Sequence, residues 1–184
     1  MAKLPVSVII VNYKTSELTK KALDALYRSI FLPEEVFLVD NNSEDGIDLI
    51  ISKKYPDVKI ILNKNNLGFA KANNLAIKIS RQPYVWLLNS DTETSPNSLE
   101  QLFKFMESHP TVAAVCPSLV YPNGDDQSVG GFFPNFWNVM GYLFPFGYFL
   151  PKSLKIKSHR IALYPQKLPE TGIELDYVTG AAAF

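Results

Sequence analysis

Short apolar, β-branched runs recur along the first two-thirds of the chain, and helix-patterned stretches separate them. The runs are VSVIIV (6–11), EVFLVD (35–40), VKIIL (58–62), YVWLL (84–88) and VAAVC (112–116). Continuous apolar runs of this length suit strands covered on both faces. Between them, Leu18, Ala22, Ala25, Leu26 and Ile30 form one helical stripe, and a shorter stretch carries Ile47, Ile50 and Ile51 before Pro56. The segment Phe69–Ile79 reads as a helix with small residues on its packing face. The next helix has Ser95 as cap, Pro96 at its first position, a stripe of Leu99, Leu102, Phe103 and Met106, and Pro110 as its stop. Strand alternating with helix requires parallel strands joined by right-handed crossovers. The expected fold class is therefore α/β, a three-layer α/β/α arrangement with a mostly parallel central sheet. After about residue 120 the alternation stops. Residues 121–167 are rich in Pro, Gly and aromatics, and read as long loops and short elements over the sheet edge.

The chain has 184 residues, 47% of them apolar and 20% charged, which suits one well-buried globular domain spanning 1–184. Its formal net charge is zero, so the electrostatic argument for a nucleic-acid partner is missing. Cys116 is the sole cysteine, which excludes an internal disulfide and suits a reducing, cytoplasmic setting; it reads as a small core residue. The first apolar run has no small-residue cleavage site after it, so no secretory signal is expected. No stretch approaches the roughly 20 clean apolar residues of a membrane span. The sequence stops at TGAAAF, inside an apolar run, and is expected to be a fragment of something longer.

In an open parallel sheet, ligands bind beyond the carboxyl ends of the strands. Polar clusters follow four of the runs: Asn12, Tyr13 and Lys14; Asp40, Asn41, Asn42 and Ser43; Asn63, Asn65, Asn66 and Gly68; and Asn89, Ser90 and Asp91. Each alone has a plainer reading as turn or cap chemistry. Asn73 and Asn74 are harder to dismiss, because Asn is a poor helix former and a buried one needs partners. Four clusters at one edge, with the lone carboxylates Asp40 and Asp91, point to a cleft for a nucleotide and a metal. A hard divalent ion, Mg2+ or Mn2+, takes carboxylate and phosphate oxygens. Asp91 supplies one carboxylate, with Asn89 or Glu93 assisting directly or through water. Asp40 suits a base or ribose edge. Neither GxGxxG nor GxxxxGK[ST] occurs, so neither a dinucleotide fold nor a P-loop is indicated.

On these residues the chain resembles glycosyltransferase family 2, whose fold is called GT-A. The resemblance runs through VSVIIVNYKTSELTKKALDAL, VDNNSEDG, NKNNLGFAKANN, YVWLLNSDTETSP, YPNGDDQSVGGFFP and DYVTGAAAF, nearly the whole chain, and is greatest to bacterial rhamnosyltransferase-type enzymes of cell-surface polysaccharide synthesis. It implies an inverting transfer of sugar from a nucleotide diphospho-sugar to a hydroxyl of a glycan or lipid-linked acceptor, with a divalent metal. It also implies nucleotide-side roles for Asn12, Tyr13, Asp40, Asn66, Gly68, Phe69, Asn73, Asn89 and Ser90, and a metal-ligand role for Asp91, the last aspartate of an Asp-x-Asp motif whose first position here is Asn89. Gly180 matches a glycine of the acceptor-side segment. The family's catalytic base falls beyond Phe184, so this chain is expected to bind nucleotide and to transfer sugar weakly or not at all. Asp125, Asp126, Glu170, Glu174 and Asp176 do not stand in the matching motif.

Two other functions stay open at this level. A sugar nucleotidyltransferase would carry a glycine-rich loop after its first strand, where this chain reads NYKTSE. A binding domain without catalysis is the other. The aromatic stretch 129–151 reads as packing on the sheet. With Lys152, Lys155, Lys157 and Arg160 after it, it could instead touch the inner face of a membrane through 129–160, or form a homodimer interface.

Overall fold

The computed structural model describes residues 2–133, 136 and 172–184. Four strands form a parallel sheet in the order β3-β2-β1-β4, with β1 Lys3–Asn12, β2 Leu32–Asp40, β3 Lys59–Leu62 and β4 Tyr84–Asn89. The helices α1 Ser16–Tyr27, α2 Ile47–Lys54, α3 Phe69–Ile79 and α4 Ser98–Ser108 alternate with them. Period-two alternation sorts the strand residues between two faces. Ile9, Phe37 and Val39 pack on one face against Ala72 and Ala76 of α3, joined by Val11, Ile61, Val85 and Leu87. Val8, Ile10, Val36, Leu38, Trp86 and Leu88 are buried from the alternate positions of the same strands. The small residues of α3 let the helix lie close on the sheet, as its sequence predicts.

Three local expectations are corrected. The stripe of α1 buries Thr19, Ala22, Leu23, Ala25 and Leu26, while Leu18 and Ile30 are exposed. The helix ends at Tyr27, so Ile30 falls outside its period. Helix α4 begins at Ser98 rather than Pro96, and the Ser95 hydroxyl bonds to the side chains of Asn97 and Ser98 instead of capping backbone N–H groups. Residues 112–116 do not form a regular strand, and Cys116 is partly exposed rather than packed in the core.

The C-terminal segment takes the place beside β4. The N–H groups of Leu87 and Asn89 donate to the carbonyls of Ala183 (2.8 Å) and Ala181 (2.9 Å). The indole N–H of Trp86 donates to the Ala182 carbonyl at 3.2 Å. Val115 and Phe184 then exchange a pair of hydrogen bonds, each 2.9 Å. The outer edge of β4 is thereby covered by residues 181–184.

Contacts divide the chain into two compact units, Met1–Pro117 with Gly180–Phe184, and Ser118–Thr179. In the second, β5 Gly130–Gly131 pairs antiparallel with β6 Tyr177–Val178, and the Phe133 N–H donates to the Asp176 carboxylate at 2.7 Å. Gly130 is fixed by space, since a Cβ there would stand 2.3 Å from the Tyr177 carbonyl oxygen. Most of the aromatic stretch, and the basic residues 152–160, lie outside the described residues. No described helix is long and apolar enough to cross a membrane.

Candidate functional site

Parallel register brings the polar strand ends into one row. Asn12 stands beside Asp40, Asp40 beside Leu62, and Val11 beside Asn89. The backbone turns sharply as it leaves this edge. Lys14 (φ 57°), Asn42 (φ 63°) and Glu44 (φ 55°) adopt left-handed conformations that L-residues rarely take. Gly68, at φ 76°, starts α3 in a conformation that suits glycine.

Asn12 is the hub of this edge and is fully buried. Its amide nitrogen donates to Asp40 Oδ1 (2.8 Å) and Ser43 Oγ (2.9 Å), with Asp45 Oδ2 at 3.2 Å. Its oxygen accepts from the hydroxyls of Thr15 (3.0 Å) and Thr19 (2.8 Å). The second Asp40 oxygen accepts the Ser43 N–H at 3.0 Å. Thr15 Oγ1, its proton given to Asn12, lies 3.1 Å from the Ser90 hydroxyl and can accept from it. One network therefore ties the ends of β1, β2 and β4 to the start of α1, and a satisfied buried network of this kind fixes its members in place.

Above it lies an open hollow of about 310 Å3, lined by Val11, Tyr13, Thr15, Asn41, Asn66, Gly68, Phe69, Asn89, Ser90 and Asp91. That volume is at the lower end for small-molecule sites. The lining brings together the ends of β1, β2 and β4 and the start of α3. Tyr13 and Phe69 offer partly exposed aromatic rings, and Asp91 is the one carboxylate of the lining. The amino end of α3 also faces the hollow, and its first turn carries no acidic side chain. The positive end of a helix dipole suits a negatively charged ligand. Asn41 is held by its neighbours: Asn63 donates to its oxygen at 2.8 Å, and its own amide reaches toward the Gly68 carbonyl at 3.5 Å.

Asp91, with the Asn89 amide oxygen close in sequence, is a sparse donor set, and no group of three or more His, Cys, Asp or Glu is gathered among the described residues. Such a set fits Mg2+ or Mn2+ that draws its remaining oxygens from a bound diphosphate and water. It does not fit a closed protein cage such as a structural zinc site.

Of the residues expected at the site, Tyr13, Asn66, Gly68, Phe69, Asn89, Ser90 and Asp91 line the hollow. Asn12, Asp40 and Asn73 stand behind the lining, buried. Asp40 spends both oxygens on Asn12 and Ser43, and is one residue from the lining Asn41. Asn73 donates to the Phe69 carbonyl at 3.0 Å, pinning the first turn of α3, and its Oδ1 is buried without a hydrogen-bond partner. Sequence reasoning missed Val11 and Thr15 as lining residues, and it placed Asn41 in a polar cluster at this edge without giving it a role. The signal for Thr15 was its position just before the first helix, which suits a cap and a ligand equally. Asp125, Asp126, Glu174 and Asp176 belong to the second unit, and Glu170 lies outside the described residues.

A sequence profile of glycosyl transferase family 2 matches residues 7–170. Among curated relatives, the N-acetylglucosaminyl-diphospho-decaprenol L-rhamnosyltransferase of Mycobacterium tuberculosis is 27% identical over 128 residues, covering 64% of this chain and 42% of that protein. The chain spans less than half the length of that relative, and 16% of a bifunctional glycosyltransferase of Dictyostelium discoideum. Among solved structures, a mannosyltransferase of Pyrobaculum calidifontis in complex with GDP-Man and Mn2+ superposes with a TM-score of 0.57 at 25% identity, covering 65% of this chain and 36% of that one. TarS 1-349 of S. aureus in complex with UDP-GlcNAc gives a TM-score of 0.52 at 26% identity, covering 58% of this chain and 32% of that one. The sheet order, the flanking helices and these neighbours are those of the GT-A fold. With the profile covering most of its length, the chain belongs to glycosyl transferase family 2.

Proposed function

We propose that the chain forms the donor-binding part of a glycosyltransferase that moves a sugar from a UDP- or dTDP-sugar to a hydroxyl of a glycan or lipid-linked acceptor, with inversion, in cell-surface polysaccharide synthesis. The observation that carries this reading is the hollow itself. Strand ends converge on it, aromatic rings and amides line it, and its single carboxylate is Asp91. Tyr13 and Phe69 offer faces for a base or sugar. The Asn41 amide, fixed by Asn63, offers hydrogen bonds of set direction. Asp91 and Asn89 would hold a divalent ion, Mg2+ or Mn2+. Such an ion, when bound, neutralises charge on a departing diphosphate. The amino end of α3 adds positive potential on the same side. The names of the relatives support the reaction class, and the sugar nucleotides in two neighbouring structures support the ligand class.

A thermal-shift panel of UDP-, dTDP- and GDP-sugars with and without Mn2+ tests this. A ligand at about a hundred times its Kd stabilises by about 2.7 kcal/mol, a shift of roughly 5–10 °C for a chain of this size. One base is expected to stand out, and only with the metal. No shift with any of the sugar nucleotides at millimolar concentration rejects the reading. The same reading brings the chain to the inner face of a membrane if its acceptor is lipid-linked. Flotation with anionic vesicles tests that step, and absence from the vesicle fraction removes it.

A further inference from the structure

We infer that Gly180 is a positioning residue for the hollow, acting through Phe69, and that the absence of a side chain at 180 sets how far the Phe69 ring reaches into the ligand space. Phe69 lines the hollow, whereas Gly180 does not. A Cβ built on Gly180 would stand 3.1 Å from Phe69 Cε1 and 3.6 Å from Cζ, and it meets no other atom within 4 Å. The first distance is tighter than an ordinary van der Waals contact, so something must give. Neither backbone is free to do so. On one side, the Ala181 carbonyl is held by the Asn89 N–H at 2.9 Å, and Ala183 by Leu87 at 2.8 Å. On the other, Phe69 opens α3, and its carbonyl is held by the Asn73 amide at 3.0 Å. Phe69 is 44% exposed, so its ring has room to yield where the held backbones do not. Pressed from Gly180, it swings toward the open space it lines.

The strap 180–184 therefore touches two parts of the lining: it hydrogen-bonds to the end of β4, which leads into Ser90 and Asp91, and its glycine leaves room for the Phe69 ring. The sequence places Gly180 one hundred and eleven residues from Phe69, so no local pattern links them.

The inference rests on the proposed ligand class, and its test separates the two. Wild type, Gly180→Ala, Phe69→Leu and the double variant are titrated with UDP, dTDP and GDP in Mn2+, and each is also unfolded in urea. Gly180→Ala is expected to weaken nucleotide binding about threefold to tenfold in the wild-type background, the scale of coupling between residues in contact. In the Phe69→Leu background, where the shorter side chain leaves room, the same substitution is expected to change binding less than about twofold. An unchanged affinity for Gly180→Ala, or an equal loss in both backgrounds, overturns the inference while leaving the ligand class standing. If wild type binds none of the three nucleotides, the proposed function fails and the urea midpoints decide the coupling. There the double variant is expected to lose less than the two single losses combined, and strictly additive losses overturn it.

Discussion

Asn12 is the residue on which the ligand edge is built. It donates to Asp40 and Ser43, with Asp45 Oδ2 at 3.2 Å, and accepts from Thr15 and Thr19, with no part of it exposed. Asn12→Ala leaves the buried Asp40 carboxylate and two hydroxyls short of partners. It is expected to cost about 2–3 kcal/mol in urea unfolding, far more than an exposed Asn such as Asn74. Glu35 is the counterpart at the opposite end of the sheet. Burial alone would raise its carboxyl. The hydrogen bond from Lys59, the Arg81 backbone N–H (2.9 Å) and the Ser7 hydroxyl (2.8 Å) outweigh burial and hold its pKa at about 2. In the unfolded chain, without burial or these partners, the carboxyl has its ordinary value of 4.5, so the stabilisation is complete above that pH and is lost as pH falls toward about 2. Glu35→Gln is expected to be about 1–2 kcal/mol less stable at neutral pH, with the two urea midpoints converging through that acidic window. If the gap is unchanged at pH 2.5, the assignment fails. Polar residues at the strand ends were legible in the sequence, but which of them face a ligand was not. A buried hub such as Asn12 and a lining residue such as Asn41 are drawn from the same residue types.

At the scale of elements, periodicity located β1, β2, β3, β4 and α3 closely, because each has its own apolar pattern. It failed where pairing partners are distant. VAAVC reads as a fifth strand, yet the place beside β4 belongs to residues 181–184, and Val115 pairs only onward with Phe184. Local composition carries no record of which segment a strand edge selects. The strap is anchored by Phe184, which is buried against Tyr84 and Trp86 with ring centroids 5.8 and 6.3 Å away. Phe184→Ala is expected to cost about 3 kcal/mol, the usual scale for a buried phenylalanine. Because the strap bonds to β4 next to the hollow, amide exchange of Leu87 and Asn89 is expected to speed up more than that of β1. Uniform acceleration across the sheet would show that the strap has no local hold on β4.

Across the molecule, the first unit is a parallel sheet whose carboxyl edge ends in a hollow with aromatic rings, amides and one carboxylate. That edge was legible in outline, since alternating strands and helices dictate where loops of one hand must emerge. The proposed role of the hollow as a nucleotide-diphosphate site requires Asp91 and a divalent ion to act together. Calorimetric titration of UDP, dTDP and GDP into wild type and Asp91→Asn, each with Mn2+ and again with EDTA, addresses this most directly. Wild type is expected to bind at least one nucleotide with Mn2+, and either Asp91→Asn or EDTA is expected to weaken that binding at least about tenfold. Equal affinity in all four conditions, or no binding by wild type, would contradict it.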